Sequence, residues 1–520
     1  MVKSRGIDMH NLKLKLIGLG AFAVIALPSW NLSAAPAQVP LFLGGSIEPN
    51  IMFTLDDSGS MHWELMPDNL IWSYFLYPRV DNLYGGGNYT NFVVSFTESN
   101  NIYDKWARSS SINRTYYNPE VTYVPWSNAD GTRMANALIT CAPHNPVDTG
   151  KGCRDLTANN SQSAFWDSAP NGTAFANLNF VTTNTSNWQY RTFWPALYYR
   201  FTGDVSSNAD RESAAKYTRV EIRSGDSYTG GANREDCAAA PTCSYDEEIQ
   251  NFANWYTYYR SRILLARAGV GRAFAEQGTG LRVGFAAINK ASAMVDGVTS
   301  PGALITGVRK FEGSDRTAFF ESLYEHSIPT SGTPLRRALD DIGQYYSRSD
   351  NKGPWGKTPG SNVSESHLAC RQSYNILMTD GYWNGDDAPT TAARSADNND
   401  GPTITGPDNQ SYQYTPVNPY RGLDGDGHQQ NNTLADIAMY YWNRDLRSDV
   451  DNLVPTNPTD PAFWQHMVNF TVGLGVSGQL DPDNDLASLT SGALTWPTPG
   501  SNKEEENIDD LWHAAVNSRG

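Results

Sequence analysis

Five residues in three short stretches offer oxygen ligands: Asp56, Ser58 and Ser60 in "FTLDDSGSM", Thr333 in "SGTPLRRAL", and Asp380 in "ILMTDG". Two of the stretches end an apolar run and the third opens a helical one, so all five residues are expected at the ends of elements. Carboxylates and hydroxyls without His or Cys form the donor set of Mg²⁺ or Ca²⁺ rather than of zinc. The D-x-S-x-S spacing lets alternate side chains of an extended turn converge on one point. Because two serines and a threonine are neutral ligands, a cation held there keeps enough positive charge to accept a carboxylate from another molecule. That is a device for binding more than for catalysis. A plain polar turn uses the same residue types to satisfy strand and helix ends, but it does not account for the three pieces occurring in this order.

The elements that must position these residues alternate along the chain. "NIMFTL" reads as a buried strand bounded by Pro49 and by the polar turn after it. "EEIQNFANWYTYYRSRILLARAGVGRAFAEQ" has helical spacing at Phe252, Tyr256, Tyr259, Ile263 and Arg267. Strands follow at 281–289 and 303–311, then a helix around 316–326. Ser331 to Pro334 form a loop and helix start, with proline at the first turn. "SYNILMTDG" is a strand, "TLADIAMYYWNRDL" a helix, "FTVGLGV" at 470–476 a strand, and "IDDLWHAAVNS" a closing helix. Such alternation specifies a mostly parallel sheet covered on both faces, with ligands at the carboxyl ends of its strands. Two segments interrupt it: 62–246, rich in Asn, Ser, Thr, Tyr, Trp and Gly, and 382–432, heavy in Asn, Asp, Gly and Pro.

Length and composition agree with this picture. A chain of 520 residues with 39% apolar and 12% aromatic residues is too long for one compact core, and 44 glycines with 29 prolines point to long surface excursions. A basic start (Lys3, Arg5, Lys13, Lys15), the apolar stretch "LIGLGAFAVIAL" and "SAAPAQ" read as an export signal over residues 1–37. No other segment approaches the roughly 20 apolar residues of a membrane span. The formal net charge of −16 argues against a nucleic-acid partner. Five cysteines in an exported chain permit disulfides, and their order suggests Cys141 with Cys153 and Cys237 with Cys243, leaving Cys370 over. Zinc is the rival use of the cysteines, with neither a CxxC pair nor an HxxxH to support it. Asp424 and Asp426 in "LDGDGHQQNN" read as a solvated turn, with calcium as the rival, since an EF-hand's later glutamate is lacking. Trp72, Tyr74, Phe75 and Tyr77 are expected in local core packing, with a recognition surface as the alternative.

Taken in order, "FTLDDSGSM", "SGTPLRRAL" and "ILMTDG" resemble the metal-ion-dependent adhesion site of a von Willebrand factor A domain. The wording of "NIMFTLDDSGSM", "NFANWYTYYRSRILLARAGV", "CRQSYNILMTDGYWNG", "LADIAMYYWNRDLR" and "NIDDLWHAAVNSRG" more closely resembles the PilC/PilY family of type IV pilus proteins. The resemblance covers most of residues 38–520. It implies an α/β fold, von Willebrand factor A-like (Rossmann-like), with a doubly wound mostly parallel sheet and large loop-rich insertions. The first part of that domain would be 38–61, and the remainder 247–520. In the family this domain is usually followed by a carboxy-terminal β-propeller that can bind calcium. This chain stops at Gly520, about where a propeller would begin, so no propeller function is carried over.

The expected function is therefore non-enzymatic: a pilus assembly factor and pilus-tip adhesin or surface sensor at the periplasm, outer membrane or cell surface. Asp56, Ser58, Ser60, Thr333 and Asp380 would hold Mg²⁺ or Ca²⁺. Partners would be minor pilins, or host or surface ligands presenting a carboxylate. A general surface adhesin without a pilus role is the alternative. A metal-dependent phosphatase is a weaker one, because the general acid such enzymes place two residues after the nucleophile falls on Ser58. "GLGVSGQL" gives no G-x-S-x-G nucleophile elbow either.

Overall fold

In a computed structural model of the chain, residues 47–67, 70, 74–88, 92–96, 102–167, 188–300, 302–500 and 504–520 are described. The expected export signal at 1–37 and Trp72 lie outside the described residues. Five strands form the central sheet: β1 (Asn50–Leu55), β2 (Arg282–Ala287), β3 (Leu304–Lys310), β4 (Ser373–Thr379) and β5 (Val468–Gly473). Their order is β3-β2-β1-β4-β5. β1 runs parallel to both neighbours, with Leu55 opposite Ala287 on one side and Met378 on the other, and β5 runs parallel to β4. β3 is antiparallel to β2 at the far edge. The chain is thus a mixed α/β protein with a mostly parallel, Rossmann-like sheet.

Burial on both faces explains why β1 carries Ile51, Met52, Phe53 and Leu55 on both sides instead of alternating apolar with exposed polar residues. All six of its residues are buried. Among the described residues, six α-helices of nine or more residues accompany the sheet: α1 (Tyr245–Tyr258), α2 (Arg262–Ala275), α3 (Gly313–Glu325), α4 (Leu335–Tyr346), α5 (Leu434–Trp442) and α6 (Glu504–Asn517). Met52, Ala286 and Leu377 face a core built with Leu339 and Ile342 of α4, Ile437 of α5 and Leu511 of α6. Phe53 and Phe285 face the other way, meeting Phe274 of α2 and Phe319 of α3 at ring distances of 5.8 and 6.0 Å. Each such side chain taken from water contributes about 1.5–3 kcal/mol. No helix among the described residues is long and apolar enough to cross a membrane.

Some elements differ from the sequence expectation. The helical stretch after residue 246 is broken at Tyr259–Ser261 into α1 and α2, although no Gly or Pro stands there. Ser261 caps the second helix by accepting the Leu264 N–H, while the flanking arginines are drawn to different partners. Arg260 reaches Glu64 at 3.1 Å and the His144 carbonyl at 2.8 Å, and Arg262 reaches Asp380. Two buried ion pairs outweigh the local helix propensity. The last strand also begins earlier than expected, at Val468, and ends at Gly473, where the chain turns through Gly475 with φ +70°.

The first interruption of the alternation carries its own aromatic core, which recruits Ile249, Phe252, Trp255 and Tyr256 of α1. Phe75 and Tyr77 are fully buried in it, as core packing requires, and Tyr74 packs against it partly buried. Polar ends of the rings are satisfied by backbone: the Tyr77 hydroxyl donates to the Pro195 carbonyl at 3.0 Å, and the Trp255 indole to the Thr115 carbonyl at 2.9 Å. Disulfides join Cys141 to Cys153 and Cys237 to Cys243, and Cys370 is free, which is the pairing read from their order.

Candidate functional site

The turn after β1 folds back on itself through Asp56. Its Oδ1 accepts the Ser58 N–H at 2.7 Å, and its Oδ2 accepts the Thr379 hydroxyl at 2.6 Å from the end of the adjacent strand. The Ser58 and Ser60 hydroxyls lie 3.0 Å apart, and Ser60 donates to Asp380 Oδ1 at 2.9 Å. Alternation along the turn is what brings both hydroxyls to one side. The parallel register of β1 and β4, with Leu55 beside Met378, is what sets Asp380 against them.

The Thr333 segment is carried to the same place by backbone bonds. Gly59 donates its N–H to the Ser331 carbonyl at 2.8 Å. Thr333 exchanges two bonds with Asn384: its N–H donates to Asn384 Oδ1 at 3.0 Å, and its carbonyl accepts the Asn384 N–H at 2.9 Å. A Cβ on Gly332 would stand 2.5 Å from Asn384 Oδ1, so glycine is the residue that lets the two loops approach. Pro334 takes the cap position of α4.

Asp56 and Asp380 are 0% and 1% exposed. Burial, with the Asp380 carboxylate beside it, pushes the Asp56 carboxyl up to about 7, although its bonds from Ser58 and Thr379 pull the other way. The two carboxylates and two hydroxyls so enclosed offer oxygen donors without nitrogen or sulfur, the donor chemistry that suits a hard divalent cation such as Mg²⁺ or Ca²⁺. Asp56, Ser58, Ser60 and Asp380 are linked directly, and Thr333 is joined to them through its loop.

Four residues of the site were not singled out from the sequence. Thr379 orients Asp56, and Asn384 fixes Thr333. Asp57 turns away from the cluster: its Oδ1 accepts the Asn289 N–H at 2.8 Å and its Oδ2 lies 2.8 Å from His326 Nε2. Arg262, fully buried, puts Nη1 2.9 Å from Asp380 Oδ2. Thr379 had a legible signal, since it directly precedes Asp380 at the strand end. Arg262 had none, because an arginine inside one continuous helical stretch reads as solvent-facing.

A second group is on the surface. Asp424, Asp426 and His428 present ligand atoms within 4.8 Å of one another, an arrangement that can hold a divalent metal ion. Asp424 Oδ1 also accepts the N–H groups of Asp426 and His428, at 2.9 and 2.8 Å, which is the work of an ordinary turn.

Neither a family model nor a solved structure matches the chain. Curated relatives do. The type IV pilus biogenesis factor PilY1 of Pseudomonas aeruginosa strain PAK is 31% identical over 526 residues, 96% of this chain and 39% of that protein. The protein of the same name from strain PAO1 is 31% identical over 537 residues, with the same coverage. That of strain UCBPP-PA14 is 30% identical over 522 residues, 93% of this chain and 37% of the relative. The chain spans about two fifths of the length of the curated relatives it matches.

Proposed function

We propose a role for this chain from its kinship as well as its site: along nearly its whole length it is homologous, at the level of the family, to the PilC/PilY type IV pilus biogenesis factors. Its role is pilus-associated and non-catalytic. The sheet is that of a von Willebrand factor A-like domain, doubly wound and carrying insertions at 62–246 and 382–432. The turn after β1 is its metal-ion-dependent adhesion site. Asp56, Ser58, Ser60, Thr333 and Asp380 hold Mg²⁺ or Ca²⁺. When bound, the cation supplies an electrophilic point that a partner's carboxylate completes, and the chain's own residues set its position and neutralise part of its charge. The partner is a minor pilin, or a host or surface ligand presenting a carboxylate. The protein acts outside the cytoplasm, at the periplasm, outer membrane or pilus tip, in pilus assembly and adhesion.

The observation that carries this reading is the direct linkage of Ser58, Ser60 and Asp380, with Asp56 beside them, at the carboxyl ends of two adjacent parallel strands. The position where a phosphatase would keep its acid is Ser58, whose hydroxyl is engaged with Ser60. The test is complementation of a deletion strain with the wild-type gene and with Asp56→Ala and Asp380→Ala, scoring surface pili, twitching and adhesion. Variants that export normally yet fail to restore any of these support the reading. Full restoration by both variants would remove the cation site from the function.

A further inference from the structure

We infer that Arg262 is a resident counter-ion of the cation site, a fixed positive charge that lowers the site's affinity for divalent metal and confines Asp380 to offering one oxygen. This rests on the reading of Asp56, Ser58, Ser60, Thr333 and Asp380 as metal ligands. The carboxylate of Asp380 is divided between two neighbours. Oδ1 accepts from Ser60 within the cluster, at 2.9 Å, whereas Oδ2 pairs with Arg262 Nη1, also at 2.9 Å. Both side chains of this pair are 1% exposed, so water screens their charges little.

The guanidinium is held in place on its other edge. Nε and Nη2 both donate to the Leu65 carbonyl, at 3.0 and 2.8 Å, and the Arg262 N–H donates to the Trp63 carbonyl at 3.0 Å. Its carbon centre also lies 5.1 Å from the Trp63 ring centroid. Arg262 opens α2, directly after the cap Ser261, so its backbone is fixed as well. A charge anchored at so many points stays where it is when a cation arrives. The two acidic residues of the site, Asp56 and Asp380, therefore face the cation with one of their negative charges already offset. Affinity of oxygen sites for Ca²⁺ follows the number of ligand charges as well as the rigidity of the cage, so Arg262, by offsetting one charge, lowers affinity. The same residue ties the site to the Trp63–Leu65 turn at the start of the first insertion.

A charge cycle tests the inference by calorimetric titration of the full chain with Mg²⁺ and with Ca²⁺, with thermal melts of each metal-free protein alongside. Arg262→Gln is expected to bind at least about tenfold more tightly than wild type, the scale of one unscreened charge at short range, and to melt lower without metal because Asp380 is left unpaired. Arg262→Lys, which keeps the charge but not the fork to Leu65, should bind more weakly than Arg262→Gln. Asp380→Asn should bind more weakly than wild type, and Arg262→Gln with Asp380→Asn should recover part of that loss. Should Arg262→Gln not fold, the comparison of the double variant with Asp380→Asn reads the same charge effect without an unpaired carboxylate. Unchanged or weaker binding in Arg262→Gln, or in the double variant relative to Asp380→Asn, while wild type binds, would overturn the inference and leave the metal reading standing. No saturable binding by wild type or any variant would overturn both.

Discussion

Ser60 donates its hydroxyl to Asp380 across 2.9 Å, although the two stand 320 residues apart in the chain. The bond joins the ends of two neighbouring parallel strands, and of the chain between them the Thr333 loop and Arg262 return to the same place. A loop-rich chain can therefore present so small a polar cluster with so little freedom.

Substituting Ser58→Ala together with Ser60→Ala removes two hydroxyls of the proposed cation site and a short hydrogen-bond chain at the sheet's end, not in its core. Each lost bond costs about 0.5–1.5 kcal/mol. The double variant should keep its far-UV circular dichroism, melt a few degrees lower, and show no divalent binding. Global unfolding would assign these hydroxyls a structural role instead.

The loop Gly85–Gly87 of the first insertion packs on Ser327–Thr330, just upstream of Thr333. Gly86 has φ +69°, and a Cβ there would meet the Ile328 backbone at 2.9 Å. Gly86→Ala should cost about 1–3 kcal/mol through left-handed strain and that close contact. It should also weaken cation binding by displacing the segment that leads to Thr333. A variant with lowered stability and unaltered affinity would show that the loop supports the fold without positioning the site.

Three buried carboxylates around the start of α5 give stability a pH signature. The Asp397 N–H donates to Asp436 Oδ1 at 3.4 Å, and Asp510 accepts from the Leu434 and Ala435 N–H groups at 2.9 and 3.1 Å. Burial, and then the Asp436 carboxylate, hold Asp397 well above the usual range, while burial raises Asp436 to about 7 and Asp510 to about 6. The folded state thus keeps protons that the unfolded chain releases near pH 4. Their contribution is fully present below about pH 4 and is lost as pH rises through 6 and 7, on the order of a few kcal/mol. Asp397→Asn, which relieves the paired charge, should be stabilised relative to wild type at pH 8 more than at pH 4.5. Thermal melts at both pH values check this, and a pH-independent difference would refute it.

Reduction of the two disulfides opens loops with sequence separations of 12 and 6. By the chain-entropy relation each loss costs about 2–3 kcal/mol. Cys141→Ser with Cys153→Ser should lower the melting temperature while leaving cation affinity close to wild type. A matching loss of affinity would mean that the aromatic core of the insertion shapes the site directly.

What could be read beforehand follows from where the physics is local. Asp56 directly follows the run ending at Leu55 and Asp380 comes one residue, Thr379, after the run ending at Met378, so their place at strand ends was visible, as was the pairing of cysteines in short loops. The break between α1 and α2 was hidden, because it is made by Arg260 and Arg262 reaching Glu64 and Asp380 far along the chain. Long-range ion pairs leave no periodic trace. For the same reason the outward turn of Asp57 toward His326 and Asn289, beside an inward-turned Asp56, needed coordinates.

The most direct test of the account is calorimetric titration of the chain lacking residues 1–37 with Mg²⁺ and Ca²⁺, beside Asp56→Ala, Thr333→Ala and Asp380→Ala. The account expects saturable binding by the unsubstituted chain that each substitution removes. Binding that survives all three would contradict it and move the cation to the surface group of Asp424, Asp426 and His428.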